Sequence, residues 1–523
     1  MIRKQYTIVL HILLVSKAAL VMGLLFTVFS CSTAPTSTLK NGPFKSFNPD
    51  FIGVNGNLTG FHEPWSNDSL VAAVSKMGVK TVRYPGGTIG NYWDWDIGWI
   101  DQEVEDSLMI QWVVENELKN SKNRYTLENL AELYKKTGIK PVFMLNMLSK
   151  DLAHSKRNLK KADSLGLPIE YVELGNELYF DIPYPLLKYP TPEVYGDTCQ
   201  KWIDTLKKEF PNAKFAIVGN YLKRHDRQID WTKRVLSTCH NADAVTFHKY
   251  NPSGLDGSKE RNKISAGSEG FADETTATRK APKNIAKRQK WELEQLKDEK
   301  AFNNMLTNIQ FSLESYKKTQ IPKDLSGWST EFNMRDDNSV ILHSWSQTLL
   351  VSAYYLAFLE RDVEITNIHN LIGPLFGVLH TNKTTFNHLK NEKRTSKPYQ
   401  FSAGGLAVNL FSQAIQNASL GAPIEIDNNT FLRDDRNNTY DALQGWSFKS
   451  ENGEVRTIVI NYSDNGHTLK LPKNNSLINA RSYYASVATP ITEGFESIEQ
   501  RDLKIGDENF LLPKKSITIV TYK

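Results

Sequence analysis

Short apolar segments alternate with longer amphipathic segments between about residues 48 and 372. The short segments have the length and composition of buried parallel strands, and the longer segments have the apolar spacing of helices. Eight strands are predicted, at residues 51–56, 81–84, 141–146, 169–174, 215–219, 244–248, 327–330 and 364–369. Eight strands separated by helices within roughly 320 residues predict an α/β fold, a (β/α)8 TIM barrel with insertions.

The strongest helical patterns lie at residues 66–76, 127–136, 192–210, 287–318 and 344–361. A doubly wound open sheet is the competing architecture, and it usually carries a glycine-rich phosphate loop after its first strand. Residues 51–56 are followed by no such loop, so we favour the barrel. Two long loops, at residues 84–120 and 251–283, follow predicted strands and are therefore expected to shape access to the face at the carboxyl ends of the strands.

The pattern changes after about residue 398. Residues 401–413 have the spacing of a helix that closes the barrel, and short alternating strands follow, for example at 455–461, 467–471 and 516–522. This pattern predicts a C-terminal all-β sandwich domain, to which residues 42–47 can add a strand. The expected organisation is residues 1–31 as a signal peptide, 32–47 as a tether and possible β-domain strand, 48–397 as the barrel, and 398–523 as the closing helix and sandwich.

The N-terminus has the features of a bacterial lipoprotein signal. Three basic residues flank or precede an apolar run at residues 18–29, which is shorter than the roughly 20 residues that span a bilayer. The run ends at Ser30-Cys31, and the Ser/Thr/Pro-rich residues 32–38 are typical of a flexible tether. We expect export and a lipid anchor through Cys31 at the outer membrane or cell surface, with periplasmic location, simple secretion or a retained transmembrane anchor as alternatives.

Composition narrows the function classes. The 523 residues are 40% hydrophobic and 23% charged with a formal net charge of +5, and the basic residues are interleaved with acidic ones, so a nucleic-acid partner is not expected. Cys199 and Cys239 lack metal-ligand spacing, and whether they form a disulfide is left open. The chain has no HExxH or GxSxG motif, so we expect neither a metal centre of the zinc type nor a cofactor, although calcium in the β domain stays open.

Two glutamates stand where predicted strands end. Glu177 closes the segment Tyr-Val-Glu-Leu-Gly-Asn-Glu after strand 4, and Glu331 lies in Gly-Trp-Ser-Thr-Glu-Phe-Asn at strand 7. Barrel closure brings both strand ends to one mouth. Cleavage of a glycosidic bond needs one carboxyl group to protonate the leaving oxygen and a second to attack the sugar, so the pair predicts this chemistry.

These motifs resemble clan A, a large superfamily of retaining glycoside hydrolases. Within it, the Arg-Tyr-Pro-Gly-Gly run at residues 83–87 looks most like the α-L-arabinofuranosidase branch and its heparanase and β-glucuronidase relatives. The resemblance implies that Glu177 is the acid/base, that Glu331 is the nucleophile, and that Arg83 supports the nucleophile. It also implies that Asn176 hydrogen-bonds the sugar 2-hydroxyl.

Further substrate-binding residues are expected around this pair. His248 and Tyr250 resemble a His-x-Tyr that touches the sugar and the nucleophile in the clan, and Glu63 is a candidate sugar-binding residue in the first loop. Trp93, in the tryptophan-rich loop, is a candidate stacking platform, with burial in the core as the alternative. Asn146, at the end of strand 3, completes the predicted set. Glu173 is expected to be a structural residue. His369 is expected to contact the substrate at the rim of the site.

The resulting hypothesis is a retaining glycoside hydrolase that acts on an oligosaccharide or on a plant or algal polysaccharide. A surface glycan-binding lipoprotein on an inactive barrel is the alternative, and intact Asn176, Glu177, Glu331 and Arg83 argue against it. A polysaccharide lyase is disfavoured because the motifs contain no obvious basic cluster. The sugar, the linkage and the choice between endo and exo action stay open.

Overall fold

The computed structural model describes residues 36–56, 65–111, 113–117, 124–258, 277–312, 314–336, 338–373, 376–380, 399–472, 475–503 and 509–523. The predicted signal peptide, the predicted anchor residue Cys31 and the candidate Glu63 lie outside the described residues. Among the helices in the described ranges, none has the length and apolar character needed to cross a membrane.

Eight parallel strands close into a barrel, as the alternating pattern predicts. Two short strands precede them in the chain, β1 (Thr36–Asn41) and β2 (Lys45–Ser46). The barrel consists of β3 (Ile52–Asn55), β4 (Thr81–Tyr84), β7 (Lys140–Met144), β8 (Tyr171–Glu173), β9 (Lys214–Val218), β10 (Ala244–Asn251), β11 (Ser326–Met334) and β12 (Val363–Ile368). A small hairpin, β5 (Trp93–Asp94) with β6 (Trp99–Ile100), lies in the loop after β4.

Helices surround the barrel and connect its strands. They are α1 (Asp68–Met77), α2 (Leu127–Thr137), α3 (Leu152–Ser164), α4 (Pro183–Lys188), α5 (Pro192–Leu206), α6 (Trp231–Leu236), α7 (Ile285–Gln295), α8 (Glu299–Ser312), α9 (Glu314–Lys318), α10 (Trp345–Leu359) and α11 (Ala403–Ile415). The helical pattern at 287–318 is therefore not one continuous helix. A break precedes α8, where the Asp298 side chain accepts a hydrogen bond from the Lys300 amide, as helix-capping residues do.

The barrel interior has an apolar layer and a polar layer. Six buried side chains, each from a different strand, form the apolar layer: Val142, Tyr171, Ala216, Ala244, Trp328 and Ile365. Side chains two residues apart on a strand share a face, so Glu173 points inward like Tyr171, whereas Val172 packs outward against the main core. The polar layer at the carboxyl ends of the strands is therefore built on a packed apolar floor.

The C-terminal region is a β domain, as predicted. Its strands are β15 (Ala418–Asp427), β18 (Leu443–Ser450), β19 (Val455–Asn461), β20 (His467–Lys470), β21 (Leu477–Tyr484), β22 (Glu499–Asp502), β23 (Asn509–Leu512) and β24 (Ser516–Tyr522). They join in the order β22-β21-β24-β19-β18-β15-β1-β20-β23. Two small two-stranded sheets lie outside this path, β13 (Leu379–His380) with β14 (Gln400–Phe401) and β16 (Phe431–Arg433) with β17 (Thr439–Asp441).

The β domain encloses its own apolar core and also packs on the barrel. Val459 of β19 joins a cluster with Leu39 and Leu469 from the other end of the sheet, whereas its neighbour Ile458 joins the main core. Strand β1 pairs with β15 and β20, so residues 36–38 are part of this sheet. The prediction of a flexible tether over 32–38 is therefore wrong for these three residues, because their backbone groups are paired in the sheet.

Cys199 and Cys239, the two cysteines of the barrel region, are free. Cys199, on α5, and Cys239 are both buried thiols without a disulfide bond. Burial raises the pKa of both thiols, that of Cys239 to about 11, so they stay protonated at neutral pH. They act as small buried side chains, and the disulfide left open by the sequence does not form.

Candidate active site

Glu177 and Glu331 meet at the mouth of the barrel. Glu177 follows β8 and Glu331 lies on β11. A carboxylate oxygen of Glu177 lies within 4.8 Å of a carboxylate oxygen of Glu331. Both residues are buried, with exposures of 6% and 4%. Glu177 has a φ of 47°, a left-handed backbone conformation that is costly for a residue with a side chain and that occurs preferentially at functional sites.

Three donors hold Glu331 in place. Arg83 Nη1 lies 2.7 Å from Oε1, Asn55 Nδ2 lies 3.1 Å from the same oxygen, and the Tyr250 hydroxyl donates to Oε2 at 2.7 Å. Gly86, in the Arg-Tyr-Pro-Gly-Gly run, makes room for this arrangement, because a Cβ there would stand 2.0 Å from Asn55 Oδ1. Asn55 was not predicted from the sequence as a site residue. Its position, a polar residue at the carboxyl end of the first barrel strand, could have indicated this role.

The surroundings of Glu331 keep its carboxylate ionised. Burial by itself disfavours the charged form, but the electrostatic influence of His248, His369 and Arg83 and the Tyr250 hydrogen bond outweigh it. Together they lower the pKa of Glu331 to about 2. An ionised carboxylate with one oxygen bound to a guanidinium and the other to a phenol is held in a fixed orientation.

Arg83 connects Glu331 to a second carboxylate. Its Nε and Nη2 atoms bind Glu173 at 2.6 and 2.9 Å, and Nη2 also donates to Asn176 Oδ1 at 2.8 Å. Arg83 and Glu173 are fully buried. Glu173, which the sequence suggested was merely structural, therefore belongs to the polar network of the site. Glu173 lies two residues after Tyr171 and so shares its inward-facing side of the strand. A charged residue at such a position could have indicated its part in the site.

His248 lies between the two candidate catalytic carboxylates. Its Nδ1 atom is 2.9 Å from Glu177 Oε1 and 3.7 Å from Glu331 Oε2, and its Nε2 atom is 3.1 Å from the Thr330 hydroxyl. Burial favours the neutral ring, but the carboxylates of Glu331 and Glu177 outweigh burial and raise the pKa of His248. The structure thus brings His248 and Tyr250 to the carboxylates, as the resemblance implied.

A β-bulge on β11 aims two consecutive side chains into the mouth. Phe247 pairs with Ser329 and His248 pairs with Glu331, so Thr330 is the extra residue in the strand register. Thr330 consequently reaches His248 and also donates to Glu173 Oε1 at 3.0 Å, while Glu331 reaches Arg83. A regular strand would send one of these neighbouring side chains to the opposite face.

Asn176 is held through its backbone. Its N–H donates to Asn91 Oδ1 at 3.0 Å, and its carbonyl oxygen accepts from Asn91 Nδ2 at 2.7 Å. Its side-chain Nδ2 is buried and has no hydrogen-bond partner among the described residues. The loop after β8 is thereby fixed so that Asn176 and Glu177 have defined orientations, and Asn91 is a supporting residue that the sequence did not indicate.

Aromatic side chains line the mouth beside the carboxylates. Tyr179 donates to Glu177 Oε1 at 3.2 Å, and the His369 ring packs edge-on between Tyr250 and Phe376. His369 Nδ1 lies 3.8 Å from Glu331 Oε2. Burial lowers the pKa of His369 to about 4, so this ring is neutral at neutral pH. His369 lies closer to the carboxylates than the rim position expected from sequence.

Two predicted substrate residues lie elsewhere. Trp93 is completely buried and packs on Tyr84 and Trp99 in the main core, so it cannot present a face to a sugar. The Asn146 amide donates to the Trp93 carbonyl and to Ser149, and its oxygen accepts from two backbone amides. With these bonds made, Asn146 braces the loop after β7, and we correct both assignments to structural roles.

Among the described residues, two groups of side chains each bring three potential metal-ligand atoms close together. Glu177, His248 and Glu331 offer three close ligand atoms, but the Arg83 guanidinium already compensates the Glu331 charge. Asp94, Asp96 and His154 form the other group. Lys150 binds Asp94 at 2.8 Å and Arg157 binds Asp96 at 2.5 Å, so these carboxylates are matched by cations of the chain itself.

Comparison with known proteins identifies the fold. No family model and no curated protein matches the sequence. Among solved structures, a family 51 α-L-arabinofuranosidase from Bifidobacterium longum matches at 14% identity and a TM-score of 0.62, covering 94% of this chain and 100% of that one. An α-L-arabinofuranosidase from Thermotoga maritima matches at 14% identity and 0.59, covering 93% and 99%.

A third similar structure has a different specificity. A 4-O-α-L-rhamnosyl-β-D-glucuronidase from Fusarium oxysporum matches at 13% identity and a TM-score of 0.54, covering 93% of this chain and 100% of that one. At such low identities the likeness establishes architecture. This chain, a closed eight-stranded parallel barrel followed by a β domain, is similar to the three structures over at least 93% of its length. The chain therefore shares the overall fold of these three glycosidase structures.

Proposed function

We propose that this chain is a retaining glycoside hydrolase with Glu331 as nucleophile and Glu177 as acid/base. The observation that carries the proposal is the approach of the two carboxylates to within 4.8 Å at the ends of β8 and β11. Retaining enzymes place these groups about 5–5.5 Å apart, whereas inverting enzymes leave roughly 6.5–9.5 Å for a water molecule. The separation supports double displacement.

In the first step Glu331 attacks the anomeric carbon, and the bond to the leaving oxygen breaks as Glu177 gives that oxygen a proton. Arg83 and Tyr250 keep Glu331 ionised and oriented for attack. In the second step Glu177 removes a proton from water, the water oxygen bonds to the anomeric carbon, and the bond to Glu331 breaks. His248, within hydrogen-bond distance of Glu177, is placed to assist the change in protonation between the steps.

Asn176 is the candidate ligand for the sugar 2-hydroxyl. Its Nδ2 donor is unused among the described residues, and its oxygen is already fixed by Arg83. A buried donor that is completed by substrate contributes more to binding than one that already has a partner. The substrate class that we propose is a plant or algal glycan. Arabinofuranosides and β-glucuronides are the first candidates, because an α-L-arabinofuranosidase and a rhamnosyl-β-D-glucuronidase have similar structures.

The test is release of reducing ends from arabinans, xylans, galactans, uronate-containing glycans and algal polysaccharides, with aryl α-L-arabinofuranosides and aryl β-glucuronides as chromogenic probes. The protein should begin no later than Ser32, because β1 starts at Thr36 and belongs to the β-domain sheet. Glu331→Gln and Glu177→Gln are the test variants. Glu170→Gln is a matched control, since Glu170 precedes β8 at the opposite end of the barrel and pairs with Lys140.

We expect both site variants to lose at least about a thousandfold in kcat and the control to keep wild-type activity. Proton NMR of the first product formed should show the anomeric configuration of the substrate. Unchanged activity in Glu331→Gln would refute the nucleophile assignment, and an inverted product would refute double displacement. Binding to a glycan with no cleavage of any probe would favour the non-catalytic glycan-binding protein.

A further inference from the structure

A closed ring of polar contacts links the two candidate catalytic carboxylates through four other side chains. Starting from Glu177, it runs through His248, Thr330, Glu173 and Arg83 to Glu331, and His248 lies near both ends. Every member is less than one-tenth exposed. In such a buried ring, each donor restricts where the next proton can lie.

The direction of each hydrogen bond follows from the charges. Glu173 receives both of its Arg83 contacts as an ion pair, so its carboxylate accepts hydrogen bonds and has no proton to donate. The Thr330 hydroxyl must therefore donate its single proton to Glu173. Its oxygen can then only accept from His248, which means that the His248 Nε2 atom carries a hydrogen.

That tautomer determines what happens at the other ring nitrogen. When the ring is neutral, Nδ1 has a lone pair that faces Glu177 Oε1 at 2.9 Å. The contact is favourable when a proton lies between the two atoms, either on the carboxyl group or on the ring. Loss of that proton would set a lone pair against a carboxylate, which is unfavourable in a buried site.

We propose that Thr330 and Glu173 are positioning residues that fix the Nε2-protonated form of His248 and thereby keep a proton between His248 and Glu177. This inference rests on the proposed role of Glu177 as the acid/base. It assigns to the β11 bulge a function in acid catalysis, because the bulge is what brings Thr330 to His248.

Charged and titratable groups from several strands face His248. Glu331 on β11 lies 3.7 Å from Nδ1, Glu177 follows β8, and Arg83 on β4 and His369 after β12 lie close enough to influence its charge. The two carboxylates favour a positive ring and Arg83 disfavours it. These four groups are unchanged in a Thr330 variant, so its effect isolates the hydroxyl.

Thr330→Val keeps the shape of the side chain and removes the hydroxyl. The Nε2 hydrogen of His248 then loses its acceptor, and the Nδ1-protonated form, which donates to ionised Glu177, becomes favourable. Deprotonation of the pair becomes easier, so the basic limb of the kcat/KM profile should move to lower pH by about one unit, the shift expected from one lost hydrogen bond. The acidic limb should stay in place, and Thr330→Ser should restore the wild-type profile.

The tautomer is measured directly by long-range ¹H–¹⁵N NMR of protein labelled with [¹⁵N]histidine, with the His248 signals identified by their loss in His248→Gln. The spectra are recorded above the raised pKa of His248, where the ring is neutral. There we expect an Nε2-protonated ring in the wild type and in Thr330→Ser, and an increased Nδ1-protonated population in Thr330→Val. A neutral wild-type ring that carries its single hydrogen on Nδ1, or a tautomer unaffected by Thr330→Val, would overturn the proposal.

The spectra need no substrate, so they separate this inference from the proposed function. A protein that cleaves no glycan but shows the expected tautomers would refute the enzymatic role while upholding the effect of Thr330 on His248. A cleaving enzyme whose tautomer shifts in Thr330→Val while its basic limb does not move would overturn the link to acid catalysis. Thermal unfolding of each variant establishes that the differences arise in folded protein.

Discussion

The charge on Glu331 should make a measurable, pH-dependent contribution to stability. Its surroundings lower its pKa from an ordinary 4.5 to about 2. A shift of roughly 2.5 units, at about 1.4 kcal/mol per unit, corresponds to about 3 kcal/mol. Because the folded-state pKa is depressed, this stabilisation is fully present above about pH 4.5 and is lost as the pH falls towards 2.

The perturbation is Glu331→Gln, which keeps the shape of the side chain and removes its titration. Urea unfolding of wild type and variant should be followed from pH 7 to pH 2 by tryptophan fluorescence. Other carboxylates with lowered pKa values, including Glu193 and Asp435, titrate in both proteins and cancel in the comparison. Between pH 4.5 and 2, the wild type should lose about 3 kcal/mol more than the variant.

The control for a nonspecific amide effect is Glu170→Gln at the other end of the barrel. It should follow the wild-type pH dependence, because it leaves the Arg83 network untouched. Parallel pH curves for wild type and Glu331→Gln would refute the reasoning, since they would mean that Arg83, His248 and Tyr250 do not stabilise the ionised form of Glu331.

Three further predictions test other features. Tyr250→Phe removes the hydroxyl that donates to Glu331 at 2.7 Å, so the pKa of Glu331 should rise. In pH–rate profiles, the acidic limb of kcat/KM should move to higher pH by about one pH unit. Trp93→Ala should lower stability by about 3–5 kcal/mol in denaturant unfolding, whereas a raised KM at unchanged stability would revive the sugar-platform assignment. Cys31→Ser should abolish radiolabelled palmitate incorporation and release the protein from membranes, and retained label would contradict the anchor.

Local patterns were sufficient for the architecture and for the two carboxylates. Each barrel strand is a short apolar run between polar segments, and burial on both faces of a parallel strand leaves that mark on its own residues. Glu177 and Glu331 each end such a run, so the closure of the barrel predicts that they meet. The same local reasoning predicted one helix at 287–318, where the structure has three, α7, α8 and α9. It failed because a break in a helix can depend on a single capping residue such as Asp298.

The sequence by itself therefore determined the barrel, the β domain and the pair of strand-end glutamates, since periodicity and strand ends are properties of neighbouring residues. Only the tertiary structure decided that Glu173 binds Arg83, 90 residues away, and that a bulge turns Thr330 towards His248. It also decided that Trp93 is buried in the core. Likewise, β1 pairs with β15, a strand almost 400 residues further along the chain. Register, bulges and burial depend on which distant segments pack together, and no local pattern carries that information.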